Sequence, residues 1–298
     1  MTRSFDAPVF RFAPSSNGYL HLGHAYSAQL NFDLARAAGG RLLLRIENID
    51  AERCRPEYER AILEDLSWLG VVFDRPVRRQ SEHFADYANA LDLLRSRGLL
   101  YPCFCSRGDI IAAVSGRSGW PRDPDGSPHY PGSCKRLSED ERRRRLASGA
   151  GFAERIDIDL AVGVAGGPFA WRELASPGAP ERDVIADPKV WGDAVLARKD
   201  IAASYHIAVV VDDALQGVTQ VVRGEDLFAA TSLHRLLQVL LGLPAPDYHH
   251  HRLLLDASGR KLSKSLRAKS LRAWREEGID PAGARARLAL EPVCLSTP

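Results

Sequence analysis

The sequence predicts an α/β protein built on a parallel sheet covered by helices, with a different kind of structure inserted in its middle. Three observations carry that expectation. The stretch up to Gly98 reads β-α-β-α-α. From Cys103 to about Ala186 the chain turns rich in Gly, Pro and Arg. Parallel-sheet character then returns at HIAVVVDD, His206 to Asp213, an unbroken apolar run ended by two acids.

Taken in order, VFRFA (Val9 to Ala13) is a short β-prone run stopped by Pro14. The turn PSSNGY leads into a helical stretch from about Leu22 to Ala38. Gly39 and Gly40 end it, because glycine readily takes the left-handed conformation of a helix terminus. RLLLRIE (Arg41 to Glu47) is the next strand. Pro56 opens a helix whose Ile62, Leu63, Leu66 and Leu69 fall on one face. Another helix is expected from Ser81 to near Gly98. In the middle, AERIDID reads as a short strand, and SEDERRRRL starts a helix with Ser138 and Glu141 at capping-box spacing. This middle reads as an insertion, not a continuation of the sheet. HIAVVVDD then suits a strand buried on both faces, with its carboxyl end at a polar site. TQVVRGEDL gives a further strand, and a helix runs from about Thr231 to Leu241. HHHRLLLDASGRKLSKS closes the pattern with a strand and a lysine loop. His249 to His251 do not read as a metal cluster, since adjacent strand residues point to opposite faces; one imidazole can line a pocket.

Composition bounds the function classes. With 26% charged and 45% hydrophobic residues the chain is a soluble globular type with enough length for a core. A net charge of +2 neither demands nor excludes nucleic acid, because a basic face can coexist with a balanced total. The amino terminus has no apolar signal region, and no apolar run reaches the roughly 20 residues of a membrane helix. A cytoplasmic, monomeric protein with reduced thiols and no membrane contact is expected.

Two motifs carry chemistry. RFAPSSNGYLHLGH (Arg11 to His24) runs from a strand through a turn into a helix that begins His-x-Gly-His. Helix amino termini present unpaired N–H groups and partial positive charge, which suits phosphate. Gly23 leaves room for a base or ribose against the backbone, and His21 and His24 lie one turn apart, placed to donate to phosphate oxygens. The plainer reading is a strand-turn-helix with two capping histidines. GRKLSKSL (Gly259 to Leu266) sets Lys261 and Lys264 around Ser263. Two flexible ammonium groups suit the charge that develops as pyrophosphate leaves a triphosphate; a solvated lysine loop is the plainer alternative.

Together these two motifs resemble the paired signatures of class I aminoacyl-tRNA synthetases. RFAPSSNGYLHLGH, LLLRIENID, VVVDDALQGVTQVVRGEDL and LLLDASGRKLSKS, four separated blocks in order, are similar to a glutamyl-tRNA synthetase catalytic core. The resemblance implies a Rossmann-type doubly wound parallel sheet, with ATP at the carboxyl ends of its strands. It implies ATP contacts at His21, Gly23, His24, Lys261, Ser263 and Lys264. It also implies a glutamate pocket of Arg11, Glu47, Tyr205 and Arg223 with the backbone around Ala13 and Ser15. The residue chemistry agrees: an arginine can fork onto a carboxylate, and Glu47 can accept from an ammonium. Glutamate would attack the α-phosphorus of ATP, with Mg2+ bridging phosphates; the nucleophile is already ionised and needs no base.

Cys103, Cys105 and Cys134 sit in the insertion and suit a structural Zn2+, which takes a tetrahedron of ligands. The resembled pattern, Cys-x-Cys followed by Tyr-x-x-x-Cys, assigns Tyr130 as the remaining ligand. The adjacent His129 is the more usual zinc ligand and stays open as the alternative. The spacing before Tyr130 is longer here than in the family pattern. Cys54 and Cys294 read as ordinary thiols, and RRRR (Arg142 to Arg145) as either a solvated helix face or a contact for RNA phosphate.

On this reading residues 1–102 form the first half of the catalytic core, 103–200 the insertion, 201–242 the second half, and 243–298 the KLSKS loop region with a short tail. Leu266 to Pro298 leaves no room for an anticodon-binding domain. That resembles the glutamyl-queuosine tRNA(Asp) synthetases, in which the acceptor is the queuosine base at the wobble position of tRNA(Asp). A short synthetase that charges a tRNA 3′ end with a partner, and a non-catalytic sensor of glutamate or ATP, are the rival expectations.

Overall fold

The main sheet is organised by its first strand. β1 (Val9–Phe12) turns Phe10 and Phe12 to one face and Arg11 to the other. β2 (Arg41–Ile46) repeats the pattern, with Leu42, Leu44 and Ile46 on the first face and Leu43 and Arg45 on the second. α1 (Leu22–Ala37) and α2 (Pro56–Leu69) cover the first face and share its core through Tyr26, Leu30, Ile62 and Leu66. The structure, a computed structural model, describes residues 7–174, 180–255, 259, 262 and 269–288.

β3 (Asp74–Arg79) follows α2 and precedes α3 (Phe84–Ser96). It adds a strand that the β-α-β-α-α pattern lacks, because DRPVRR offers one buried apolar residue, Val77, and no periodic run to reveal it. The insertion holds β4 (Leu100–Cys103), α4 (Arg107–Val114), α5 (Glu139–Ala147), β5 (Ala153–Ile156) and α6 (Ile158–Ala165). β6 (Ala170–Glu173), β7 (Arg182–Ile185) and β8 (Val195–Ala197) follow. β4, β5 and β8 make a small antiparallel sheet. β6 and β7 instead join the main sheet, so this region is not wholly separate from it.

The largest departure concerns HIAVVVDD. It forms α7 (Tyr205–Leu215), a helix, where the sequence suggests a strand. Its residues Ile207 through Asp213 are all buried, against α3 and α8 (Ala230–Leu241). A helix buried all round has no polar face, so its sequence lacks the 3.6-residue signal and imitates a core strand. Burial outweighs the poor helix propensity of three consecutive valines.

β9 (Gln220–Gly224) and β10 (Asp247–His251) complete the sheet, and α9 (Leu271–Glu276) and α10 (Pro281–Leu288) pack Leu271, Trp274, Ala284 and Leu288 into the core beside α1 and α2. The main sheet has seven strands in the order β3-β2-β1-β9-β10-β6-β7, parallel except for β6 with β7. The order reverses between β1 and β9. A crevice opens at such a switch point, outside the carboxyl ends of the strands. Among the described residues no helix is long and apolar enough to cross a membrane.

Candidate active site

A cavity of about 510 Å³ lies at that switch point. Arg11, Ala13, Ser15, His21, Gly23, His24, Glu47, Tyr205 and Arg223 all line it. β1, β2 and β9 deliver Arg11, Glu47 and Arg223 at or near their carboxyl ends, and Tyr205 arrives from the first turn of α7. A parallel bridge between Ser15 and Glu47 continues the β1–β2 pairing into the cavity wall. His251 at the end of β10 lines it too, so one of the three adjacent imidazoles does reach the pocket. Lys261, Ser263 and Lys264 lie outside the described residues. Leu262 between them lines the cavity, its amide donating to the Leu254 carbonyl at 3.0 Å.

The His-x-Gly-His start of α1 is a reciprocal cap. The Gly23 amide donates to His21 Nδ1 at 3.1 Å, and the His21 amide donates to His24 Nδ1 at 3.2 Å. Both histidines therefore cap the helix and line the cavity; the two readings of this motif are compatible. Each Nδ1 accepts, so each neutral ring carries its proton on Nε2. A Cβ on Gly23 would lie 3.0 Å from the His21 ring, which adds a steric reason for glycine at this position. The far end of the lysine segment is tied to the same place: Leu271 donates its amide to the Leu20 carbonyl at 2.8 Å, and Ser270 bridges His21.

Behind the cavity stands a charge cluster that sequence reading missed. Asp213 of α7 accepts from Arg45 Nη1 at 2.6 Å and from Arg11 Nε at 3.3 Å. Arg45 also pairs with Glu47 at 3.3 Å, while Asp212 accepts from Arg78, Gln80 and Tyr87. Burial works against the ionised form of Asp213, but Arg45 and Arg11 outweigh it and hold the carboxyl below its usual range. For Glu47 burial wins over the same two arginines and raises the carboxyl. The signal was present: an arginine inside RLLLRI and two acids inside an apolar run are anomalies of burial.

Arg223 has a different environment. Its Nε donates to His250 Nε2 at 3.2 Å. Its Nη1 contacts His234 Nδ1 at 3.3 Å and the Tyr205 hydroxyl at 3.4 Å, and its Nη2 contacts Thr231 Oγ1 at 2.7 Å and the Leu227 carbonyl at 3.2 Å. A second cavity of about 220 Å³ shares Ser15, Asn17, Glu47 and Tyr205 with the first and extends past Asp50 and Arg53.

Comparison with known proteins fits this geometry. The family described as tRNA synthetases class I (E and Q), catalytic domain, matches residues 9–289. The chain is 48% identical over 289 residues to a Glutamyl-Q tRNA(Asp) synthetase of Rhodobacter capsulatus, a match covering 95% of this chain and 100% of that one. The chain belongs to the glutamyl-Q tRNA(Asp) synthetase branch of the class I synthetases. A second member of the branch, from Nitratidesulfovibrio vulgaris, is 38% identical over 94% of this chain and 85% of its own. Among solved structures, a glutamate tRNA ligase from Elizabethkingia meningosepticum in complex with its amino acid superposes with a TM-score of 0.69 at 26% identity. The match covers 92% of this chain and 54% of the ligase, so the shared part is about half of that structure.

This synthetase-like ligase carries its cysteine cluster in the insertion. The sulfurs of Cys103, Cys105 and Cys134 all lie within 4.8 Å of one another, with Cys105 and Cys134 3.5 Å apart. Thiolates around a tetrahedral zinc at about 2.3 Å sit roughly 3.8 Å apart, so the donor set fits such an ion. The Tyr130 hydroxyl stands 3.4 Å from Cys105 Sγ and accepts from the Cys134 amide at 2.6 Å. His129 Nε2 instead meets the Val190 carbonyl at 2.9 Å. The geometry thus brings Tyr130, not His129, to the thiols. Burial opposes ionisation of Cys134, but hydrogen bonds from Tyr130 and the Phe104 amide hold its thiol below the ordinary range. Burial pushes the Cys105 thiol up to about 11. On α5 three arginines of the run RRRR are ion-paired within the helix: Arg143 with Asp140, and Arg144 and Arg145 with Glu141.

Proposed function

We propose that the chain activates L-glutamate with ATP as glutamyl-adenylate and transfers the glutamate to the queuosine base at the wobble position of tRNA(Asp). The observation that carries this reading is the 48% identity to the Rhodobacter Glutamyl-Q tRNA(Asp) synthetase over that protein's whole length. The cavity's chemistry supports it. Arg11 and Arg223 offer two cations and Glu47 one anion, the complement of two carboxylates and an ammonium. The backbone around Ala13 and Ser15 closes the glutamate side. ATP, arriving as its magnesium complex, lies against the amino end of α1, where Gly23 keeps the wall open and the Nε2–H groups of His21 and His24 meet phosphate oxygens. Lys261 and Lys264, with Ser263, meet the pyrophosphate. The glutamate α-carboxylate forms its bond to the α-phosphorus as the bond to pyrophosphate breaks; positioning and charge stabilisation carry the step.

In the second step a hydroxyl of the queuosine cyclopentenediol attacks the glutamyl carbonyl, AMP leaves, and the hydroxyl proton passes to its phosphate. The smaller cavity, joined to the first at Glu47 and Tyr205, gives the diol its approach. Cys103, Cys105, Cys134 and Tyr130 would hold a zinc ion that braces the insertion.

The test supplies purified protein with ATP, labelled glutamate, and tRNA(Asp) with and without queuosine, the tRNA pretreated or not with periodate. Label on the queuosine nucleoside, absent from unmodified tRNA, is the expected result. Label on the 3′-terminal adenosine would make the protein a charging enzyme instead. Absence of ATP–pyrophosphate exchange would favour a sensor.

A further inference from the structure

Three buried guanidiniums stand at or behind the cavity, and their partners differ in kind. Arg11 and Arg45 both contact the Asp213 carboxylate. Arg223 forms no ion pair among the described residues: its five N–H groups go to two imidazoles, two hydroxyls and a carbonyl. A carboxylate partner would cancel much of a buried cation's field at the cavity, whereas neutral acceptors satisfy its donors and leave the charge.

Because arginine can only donate, the direction of the surrounding bonds is fixed. His234 must accept at Nδ1, so its proton is on Nε2 and donates to His206 Nδ1 at 3.2 Å. His250 must accept at Nε2, so its Nδ1–H donates to Glu173 Oε2 at 2.8 Å. Glu173 is held in turn by the His250 amide at 2.8 Å and Trp171 Nε1 at 3.0 Å. Burial first, and then Arg223, keeps His234 well below its ordinary pKa; burial likewise brings His250 to about 4, so both rings stay neutral. The longest of the five contacts, 3.4 Å to Tyr205, connects two residues that both line the cavity.

We propose that His234, His250 and Thr231 form a neutral acceptor shell that holds Arg223, a cation with no carboxylate in direct contact among the described residues, for a substrate carboxylate, with Glu173 on the inserted strand β6 fixing the tautomer of His250. These four are positioning residues. The proposal rests on the glutamate reading above and extends it: the entering carboxylate takes the Nη1 corner, with the Tyr205 O–H as its second donor. The inserted region thereby reaches the amino acid pocket through a chain from Glu173 to His250 to Arg223.

Steady-state ATP–pyrophosphate exchange, with glutamate and ATP varied separately, tests the shell alongside calorimetric titration of glutamate. His234→Phe removes the acceptor and is expected to raise KM for glutamate about tenfold while KM for ATP stays within about twofold. His234→Asn, whose amide oxygen can stand where Nδ1 stood, should recover most of that loss. Thr231→Val, close in volume, should raise glutamate KM in the same way and serves if the phenylalanine variant fails to fold. Folded variants with unchanged glutamate KM, or with both KM values rising together, would overturn the shell. A wild type that binds no glutamate would overturn the substrate assignment and the shell with it, and the calorimetry distinguishes the two failures.

Discussion

Asp213 Oδ1 stands 2.6 Å from Arg45 Nη1, and the Arg45 side chain is completely buried. One carboxylate in the last turn of a helix thus fixes an arginine on β2 and, at 3.3 Å, Arg11 on β1. Removing it leaves two buried cations short of a partner. Asp213→Asn is expected to cost about 3–5 kcal/mol in denaturant unfolding and to raise KM for glutamate through Arg11. An unfolding midpoint close to wild type would count against this role.

The paired caps at the start of α1 separate two duties of one residue. His24→Asn keeps an acceptor near the Nδ1 position and should preserve the helix start, while His24→Ala gives up about 1 kcal/mol of cap. Both variants lack Nε2–H, so both should slow ATP–pyrophosphate exchange about a hundredfold. Exchange retained by the asparagine variant would reduce His24 to a cap.

Asp65 on α2 sits fully buried against Arg275 of α9, 3.1 Å away. Burial raises its carboxyl to about 6, and Arg275 offsets only part of that rise. In the unfolded chain the group ionises near pH 4. Between those values the unfolded state loses its proton while the folded state keeps it, so Asp65 lowers stability as pH rises from about 4 to 6. Asp65→Asn should therefore gain on wild type by about 2–3 kcal/mol across that interval, read by urea unfolding at pH 4 and pH 7. Parallel pH curves for the two proteins would refute the assignment.

Metal analysis of protein purified without chelator should find one zinc per chain. Cys134→Ser, or a strong chelator, should remove it and lower the melting temperature, since a structural zinc contributes its binding energy to folding. His129→Ala should leave the metal content unchanged, because that ring is turned to Val190.

Much of the site was legible in sequence because its residues lie where strands end. Arg11, Glu47 and Arg223 each lie in or just past a β-prone run, and all three line the cavity. What was not legible depended on burial. The apolar stretch of α7 carries no period, so length and composition favour a strand, and Asp212 and Asp213 read as the end of that strand instead of the last turn of a helix. Arg45, His234 and Thr231 are not legible for a related reason: each is a polar residue inside an otherwise apolar element, and only the third dimension shows which neighbour satisfies it. β6 and β7 leave a weak pattern in the sequence because each is only four residues long, at or next to the sheet edge.

The interior position of β1, between β2 and β9, has a consequence for biosynthesis. Its partner on one side, β2, emerges from the ribosome soon after it; its partner on the other side is 210 residues downstream, where Val9 meets Thr219. At about 5–20 residues per second, that edge waits on the order of 10–40 s before β9 arrives. An open edge bearing Phe10 and Phe12 is a template for mispairing between nascent chains. Long-range parallel pairing also folds slowly, so this edge is where a holding chaperone would act on the growing polypeptide.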